Sequence, residues 1–220
     1  MMGAASAHGW LASLKRMWLL YHLNNPKFRF MLDPPPDNEW VALDCETTGL
    51  NVDIDEIISV AAVRIVGNRV MTSERLELLV RPERRVSGES VRIHHLREQD
   101  VAQGMASDAA MTQLLHFIGA RPLVGYYLEF DVAMIDRALT PILGRDWGLP
   151  QPRNEISAMY YDYKFRQLPR HLRDSARIDL RFATLMQDLD LPLRNAHDAL
   201  NDAIMAALAF IKLRQLLAAG

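Results

Sequence analysis

Apolar and polar positions divide the chain into an early part with strand-like spacing and a later part with helical spacing. Three apolar runs come first, over residues 41–46, 57–66 and 70–80, and they are rich in Val, Ile and Leu. Such runs between turn residues are typical of buried strands. Gly67 and Asn68 form a two-residue turn between the second and third runs, which predicts a hairpin.

Helical spacing dominates after the third strand. Ser107 begins a predicted helix that ends at Gly119, and residues 122–125 are a short strand candidate. Further helices are predicted over residues 130–139, 156–166, 178–189 and 198–217. Three strands followed by helices, with one more strand between them, predict an α/β fold in which helices flank a mixed central sheet.

Residues 1–38 are predicted to form an amphipathic helix and a proline-rich linker ahead of a main domain over residues 39–220. The apolar segment 10–23 is shorter than the ~20 residues that a bilayer span needs, so no transmembrane segment is predicted. The helix is expected to pack on the main domain or to contact a protein partner or a membrane surface. Its apolar stripe consists of Trp10, Leu14, Met17, Trp18 and Tyr21.

The composition of the chain gives little information about its binding partners. The chain has 25 Lys and Arg against 27 Asp and Glu, a net charge of -2, which provides no global attraction for nucleic acid. Any binding of nucleic acid must therefore come from a local patch. The single cysteine, Cys45, cannot form an intrachain disulfide and is expected to be a small core residue, which fits a cytoplasmic protein.

The most informative pair of residues is Asp44 and Glu46, at the end of the first strand. Side chains alternate along a strand, so both carboxylates point to the same face. Like charges that close repel each other and lose hydration unless a cation lies between them. Oxygen ligands of this kind suit Mg²⁺ or Mn²⁺, and a solvated strand end is the alternative interpretation.

Two more acids lie on apolar helix faces. Residues three, four and seven positions after Asp131 are apolar, and the same holds for Asp202 in the last helix. An ionised acid seldom lies on such a face without a partner. Asp198 is instead interpreted as the cap of the last helix.

His197 stands five residues before Asp202, just outside the last helix, about 7 Å along its axis. A histidine near a metal site suits the role of a general base that activates water. A surface or capping histidine is the alternative interpretation.

Three segments together resemble the 3′–5′ exonucleases with four acids and a histidine (DEDDh type), the family that includes the epsilon subunit of bacterial DNA polymerase III. The order and spacing of the segments agree with that family, over about residues 39–215. The three segments are Asp44-Cys-Glu-Thr-Thr-Gly-Leu50, Val124-Gly-Tyr-Tyr-Leu-Glu-Phe-Asp131 and His197-Asp-Ala-Leu-Asn-Asp-Ala203.

The resemblance implies an RNase H-like three-layer fold and hydrolysis of phosphodiester bonds at the 3′ end of DNA, with release of nucleoside 5′-monophosphates. It implies that two Mg²⁺ or Mn²⁺ ions are bound by four acids and that His197 activates the attacking water. The implied metal ligands are Asp44, Glu46, Asp131 and Asp202. The residues implied to contact substrate are Thr47, Thr48, Gly49, Leu50, His94 and Tyr127.

The resemblance leaves the substrate open. Tyr127 stands where the family commonly has asparagine, which puts the geometry of substrate binding in question more than metal binding. An RNA-trimming exonuclease would carry the same metal ligands, because the difference depends on recognition of the 2′-hydroxyl. A third interpretation is a non-catalytic nucleic-acid-binding protein or an adaptor associated with a polymerase.

Overall fold

The computed structural model describes residues 14, 16–173, 175, 177–194 and 198–219. Its strands are β1 (Glu39–Thr47), β2 (Ile57–Val66), β3 (Arg69–Leu79), β4 (Leu123–Gly125) and β5 (Arg153–Glu155). Its helices are α1 (residues 16–22), α2 (Gly88–His94), α3 (Glu98–Val101), α4 (Ser107–Ile118), α5 (Leu128–Leu143), α6 (Ile156–Gln167), α7 (Phe182–Asp188) and α8 (Ala199–Ala219). Two 3-10 helices cover Pro26–Leu32 and Arg170–Leu172.

The five strands form one mixed sheet in the order β3-β2-β1-β4-β5. β1, β2 and β3 pair in antiparallel fashion, and β4 and β5 continue the sheet in parallel beyond β1. The hairpin between β2 and β3 was predicted from the turn at Gly67, which adopts a φ of 60°. β1 is therefore the central strand, and both of its edges are paired.

Helices cover both faces of the sheet, and β1 shows why. Val41 and Leu43 belong to a core cluster with α4 and α5, whereas Ala42 belongs to a second cluster with α6, α7 and α8. This alternation is the one expected for a strand buried on both faces. It sends the side chains of Asp44 and Glu46 toward the layer that contains α8.

Several short elements were not predicted, and one predicted helix is shorter than expected. α2, α3 and β5 have three to seven residues each, too few for periodicity to reveal them. The helix predicted over residues 178–189 begins at Phe182. Asp179 explains the difference, because its carboxylate accepts the N–H of Arg181 at 3.1 Å and the hydroxyl of Thr184 at 2.8 Å, which favours a turn over a helix.

The described part of the N-terminal segment packs on the main domain through a face that the apolar stripe did not indicate. Leu19 and Leu23 are buried, and the indole Nε1 of Trp147 donates to the carbonyl oxygen of Leu19 at 2.9 Å. Phe28 and Met31 of the following 3-10 helix join the core cluster around α4 and α5. Within the described ranges, no helix is long and apolar enough to cross a membrane.

Candidate active site

Three carboxylates from two elements meet at the end of the central strand. Asp44 and Glu46 come from β1, and Asp202 comes from the first turn of α8. One carboxylate oxygen of each residue lies within 4.8 Å of the other two. β1 and α8 are in direct contact, so the strand alternation and the helical stripe inferred from the sequence converge on one point.

Asp131 lies beside this group rather than inside it. Its Oδ1 accepts the backbone N–H of Cys45 at 3.0 Å, which ties the first turn of α5 to the middle of the Asp44–Glu46 segment. The side chain is buried, with 4% of its surface exposed. All four acids named from the sequence thus lie at the same end of β1, three in a tight cluster and one against the strand.

Burial and mutual repulsion make these acids hard to ionise without a counterion. Burial is the main cause that raises the pKa of Asp44, and the charges of Asp131 and Asp202 raise it further. Burial likewise raises the pKa of Glu46 from 4.5 to about 7, with contributions from Asp202 and Asp198. Burial also raises the pKa of Asp131. Each negative charge at this position therefore lowers the stability of the metal-free folded protein.

A hard divalent cation fits this donor set. The converging ligand atoms are carboxylate oxygens, the class of ligand that Mg²⁺ and Mn²⁺ prefer. A cation among them would offset the repulsion that raises the pKa values of Asp44 and Glu46. The cluster is thus a candidate metal centre on physical grounds alone.

The loop after β1 is held by its own hydrogen bonds. The hydroxyl of Thr47 donates to the carbonyl oxygen of Gly49 at 2.6 Å, and the hydroxyl of Thr48 donates to Oδ1 of Asp55 at 2.9 Å. The side chains of both threonines are therefore engaged within the protein. Leu50, by contrast, is 82% exposed at the tip of the loop, which leaves it available for contact with a ligand.

Asp55 organises this loop, and the sequence offered no sign of that role. Its Oδ2 accepts the N–H of Asn51 at 2.9 Å, in addition to the bond from Thr48. A side chain at Gly49 would meet that carboxylate, because a Cβ there would lie 2.5 Å from Oδ2 of Asp55. Gly49 thus leaves room for the Asp55 carboxylate, whereas the sequence analysis implied only that it contacts substrate.

His94 lies between two cavities that flank Glu46. It is the last residue of α2, it is buried, and its Nδ1 accepts the N–H of Leu96 at 3.1 Å. One cavity, of about 270 Å³, is lined by Leu50, Ile93 and Phe130 among others, and the second, of about 500 Å³, is lined by Glu77 and Leu200 among others. His94 and Glu46 line both cavities.

Ser90 fixes α2 against the loop after β1. Its hydroxyl donates to the carbonyl oxygen of Thr48 at 2.7 Å, and Ser87 caps the helix by accepting the N–H of Ser90 at 3.0 Å. The position of His94 therefore depends on the same loop that presents Leu50. No spacing rule would have singled out Ser90, because its partner lies 42 residues earlier in the chain.

Tyr127 is exposed and holds a left-handed backbone conformation, with a φ of 54°. Glu155 stabilises this turn, because its carboxylate accepts the N–H of Tyr127 at 3.1 Å and that of Leu128 at 2.8 Å. Glu155 therefore caps the start of α5, the helix that carries Asp131. Tyr127 is not one of the described residues that line the two cavities beside Glu46.

His197, the expected general base, lies outside the described residues. Its neighbour Asp198 is described, and its Oδ1 accepts the N–H groups of Leu200 at 3.1 Å and Asn201 at 3.2 Å. The prediction that Asp198 caps the last helix is therefore confirmed. Its charge also raises the pKa of Glu46, which places the cap close to the acid cluster.

Comparison of the sequence with known families gives a match to RNase_T, described as Exonuclease, over residues 41–210. A PolC-type DNA polymerase III of Thermotoga maritima is 26% identical over 176 residues, which make up 80% of this chain and 12% of that protein. The DNA polymerase III subunit epsilon of Aquifex aeolicus is 24% identical over 191 residues, or 86% of this chain and 87% of that protein.

Comparison of the structure gives the same fold. A zinc-bound complex of E. coli ExoI with single-stranded DNA superposes with a TM-score of 0.66 and 20% sequence identity, and the match covers 84% of this chain and 43% of that one. The predicted fold, an RNase H-like mixed sheet with flanking helices, is confirmed by this likeness. This chain spans less than half of the ExoI chain and only a small part of the PolC-type polymerase.

Glu46 should make the stability of the metal-free protein depend on pH. Its pKa of about 7 in the folded chain exceeds its ordinary value of 4.5, so its favourable contribution is complete below about pH 4.5 and is lost as pH rises through 7. We expect urea unfolding in a chelator to show a free energy of unfolding lower by up to about 3 kcal/mol at pH 8 than at pH 4.5. Mg²⁺ should restore the loss.

The matched variants for this experiment are Glu46→Gln, which should reduce the pH dependence, with Asp44 and Asp131 supplying the rest, and Glu98→Gln, an exposed glutamate that should leave it unchanged. An equal pH dependence in Glu46→Gln and the unsubstituted chain would show that burial of this carboxyl does not carry the effect.

Asp55→Asn should weaken substrate binding without a comparable loss of turnover. An amide can accept only at its single oxygen, so the loop would lose one of its two bonds to Asp55, at a cost of about 1 kcal/mol. We expect KM for a nucleic-acid substrate to rise by about fivefold to tenfold while kcat changes by less than about twofold. The control is Asp53→Asn, the same chemical change at an exposed position in the same loop. A fall in kcat alone would contradict a positioning role for Asp55.

Proposed function

Because the chain belongs to the RNase_T family of exonucleases, we propose that it removes nucleotides stepwise from the 3′ end of DNA, preferentially single-stranded DNA. The observation that carries this proposal is the cluster of Asp44, Glu46 and Asp202, whose carboxylate oxygens lie within 4.8 Å of one another beside Asp131. An intact acid cluster also argues against a purely structural adaptor. The similarity to an epsilon subunit and to an ExoI complex with single-stranded DNA supports the choice of DNA.

The proposed cofactors are two Mg²⁺ or Mn²⁺ ions, which Asp44, Glu46, Asp131 and Asp202 would hold. When bound, such ions neutralise the acids and stabilise negative charge on the phosphate oxygens in the transition state. That positive charge would favour the ionised form of the carboxylates, since burial raises the pKa of each of the first three in its absence. Activity should therefore require added divalent cation.

His197 is the proposed general base. Its neighbour Asp198 caps α8 beside the acid cluster, and Asp202 lies one turn further along the same helix. A histidine titrates near neutral pH, so it can accept the proton of the attacking water and then release it to solvent.

The cavity lined by Leu50, Ile93 and Phe130 is the proposed site of the terminal nucleotide. Its apolar wall can pack against a base, and the exposed Leu50 can separate the last base from the one before it. His94 lies between this cavity and the second one, where it can contact the sugar or phosphate that connects two nucleotides. Thr47 and Gly49 line this cavity and would contact the nucleotide through their surfaces, with Thr48 supporting them from behind. The hydroxyls of both threonines, the N–H and carbonyl of Thr48 and the carbonyl of Gly49 are already bonded within the protein.

The proposed location is a reducing compartment such as the cytoplasm. Cys45 is buried on β1 and burial raises the pKa of its thiol, so the residue behaves as a core side chain.

Removal of one acid from the cluster should abolish nuclease activity. With 5′-labelled single-stranded DNA and Mg²⁺ or Mn²⁺, we expect a ladder of products shortened from the 3′ end and release of nucleoside 5′-monophosphates. Asp44→Asn and Asp202→Asn should each reduce the rate by at least about 10³-fold, since each removes a charge that holds the cation. Asp108→Asn, the same change at an exposed helix start, is the control.

A matched RNA oligonucleotide should be run in parallel. If RNA is shortened faster than DNA, the protein is an exonuclease whose substrate is RNA. If neither DNA nor RNA is shortened with either metal, the proposed exonuclease activity is wrong, and a non-catalytic role in binding nucleic acid takes its place.

Replacement of His197 should affect chemistry rather than binding. We expect His197→Ala to lower kcat by about 10² to 10⁴-fold and to remove the rising limb of the pH–rate profile near neutral pH. KM and the thermal stabilisation by Mn²⁺ should stay close to those of the unsubstituted chain. His171→Ala, at an exposed position, serves as the control. A retained rising limb in His197→Ala would assign the base to another group.

A further inference from the structure

Helix α1, together with Leu14 before it and Leu23 after it, carries apolar side chains on two opposite faces. Leu19 and Leu23 form the inner face, which is buried on the domain. Four residues form the outer face, one above another at helical spacing, and remain in contact with solvent. They are Leu14, Met17, Trp18 and Tyr21, with 38%, 58%, 48% and 86% of their surfaces exposed. Contiguous exposed apolar side chains of this size mark an interaction surface.

Among the described residues, the contacts that fix α1 on the domain come from its inner face and leave the outer face exposed. The backbone N–H of Asn24, just after the helix, donates to the carbonyl oxygen of Leu143 at 3.1 Å, and Trp147 donates to Leu19. Phe28 and Met31 then bury the chain that follows. The residues that attach this segment to the domain are thus different from those of the outer face, which stay exposed to solvent.

The outer face lies away from the candidate active site. α1 is attached at Leu143, the last residue of α5, whereas Asp131 lies in the first turn of the same helix. Twelve residues at 1.5 Å each separate the two, or about 18 Å along the helix axis. A ligand on the outer face would therefore leave the acid cluster open to a nucleic-acid end.

The charge of this segment differs from that of the whole chain. Residues 1–32 contain four basic side chains, Lys15, Arg16, Lys27 and Arg29, and no Asp or Glu, although the chain as a whole has a net charge of -2. Arg16, Lys27 and Arg29 are exposed, although Nε of Arg16 also donates to the carbonyl oxygen of Leu32 at 3.2 Å. Exposed basic side chains in the same segment as an apolar, aromatic-rich helix face suit a membrane, whose interior is apolar and whose surface is anionic.

We propose that the outer face of α1 docks on an anionic membrane surface, with its four side chains in the headgroup region and the exposed Lys27 and Arg29 near lipid phosphates. Trp and Tyr favour that boundary, because one part of the ring is apolar and the other forms hydrogen bonds. A second copy of the chain fits less well. Even an aromatic side chain buries only about 150–250 Å², so four partly exposed side chains, two of them aromatic, fall short of the ~800 Å² per partner of a stable interface.

Flotation of the full chain with lipid vesicles tests this proposal. We expect binding to vesicles of phosphatidylcholine with 30% phosphatidylglycerol to exceed binding to pure phosphatidylcholine by at least about tenfold, and to fall as salt is raised. Met17→Glu/Tyr21→Glu should weaken binding to the anionic vesicles by at least about tenfold. The control is Tyr161→Glu/Leu172→Glu, which makes the same change at two exposed apolar residues of the main domain.

Thermal unfolding midpoints that agree between the variants and the unsubstituted chain show that the domain still folds, and this readout does not depend on nuclease activity. Three results would overturn the proposal: no binding to anionic vesicles, equal binding by both double variants, or a dimer in light scattering that only Met17→Glu/Tyr21→Glu dissociates. The last result would assign the outer face to a second copy of the chain.

Discussion

Repulsion among carboxylates that lie together at the end of β1, partly or fully buried, is the constraint on which the rest of the structure depends. Asp44, Glu46 and Asp202 bring oxygens within 4.8 Å of one another, and burial raises the pKa of the first two. Such a group is unfavourable to fold around unless a cation joins it. The scaffold must therefore hold these side chains firmly enough that they stay together before any cation binds.

The fold supplies that rigidity from three directions. β1 is paired on both edges, so its alternation cannot slip by one residue without turning the acids into the opposite core. The N–H of Cys45 holds Asp131 and hence the start of α5, while Glu155 caps the same helix from the edge strand. The loop after β1 is closed by Asp55. Each contact places one wall of the site relative to the central strand.

The sequence predicted the parts of the site that follow from periodicity. Strand alternation placed Asp44 and Glu46 on one face, and helical spacing indicated that Asp202 begins a buried stripe. Asp55 and Glu155 could not be found this way, because they act through hydrogen bonds to backbone groups whose proximity only the tertiary structure creates. α1 shows a second limit: both of its sides are apolar, and the pattern alone could not tell which one packs on the domain.

The most direct measurement is anomalous diffraction from a crystal of the protein soaked in Mn²⁺ with a nucleoside 5′-monophosphate. Our account predicts two Mn²⁺ peaks about 3.5–4 Å apart. Each ion should be coordinated by carboxylates from the set Asp44, Glu46, Asp131 and Asp202. A map with no anomalous peak among these four side chains, while Mn²⁺ is visible elsewhere in the crystal, would contradict it.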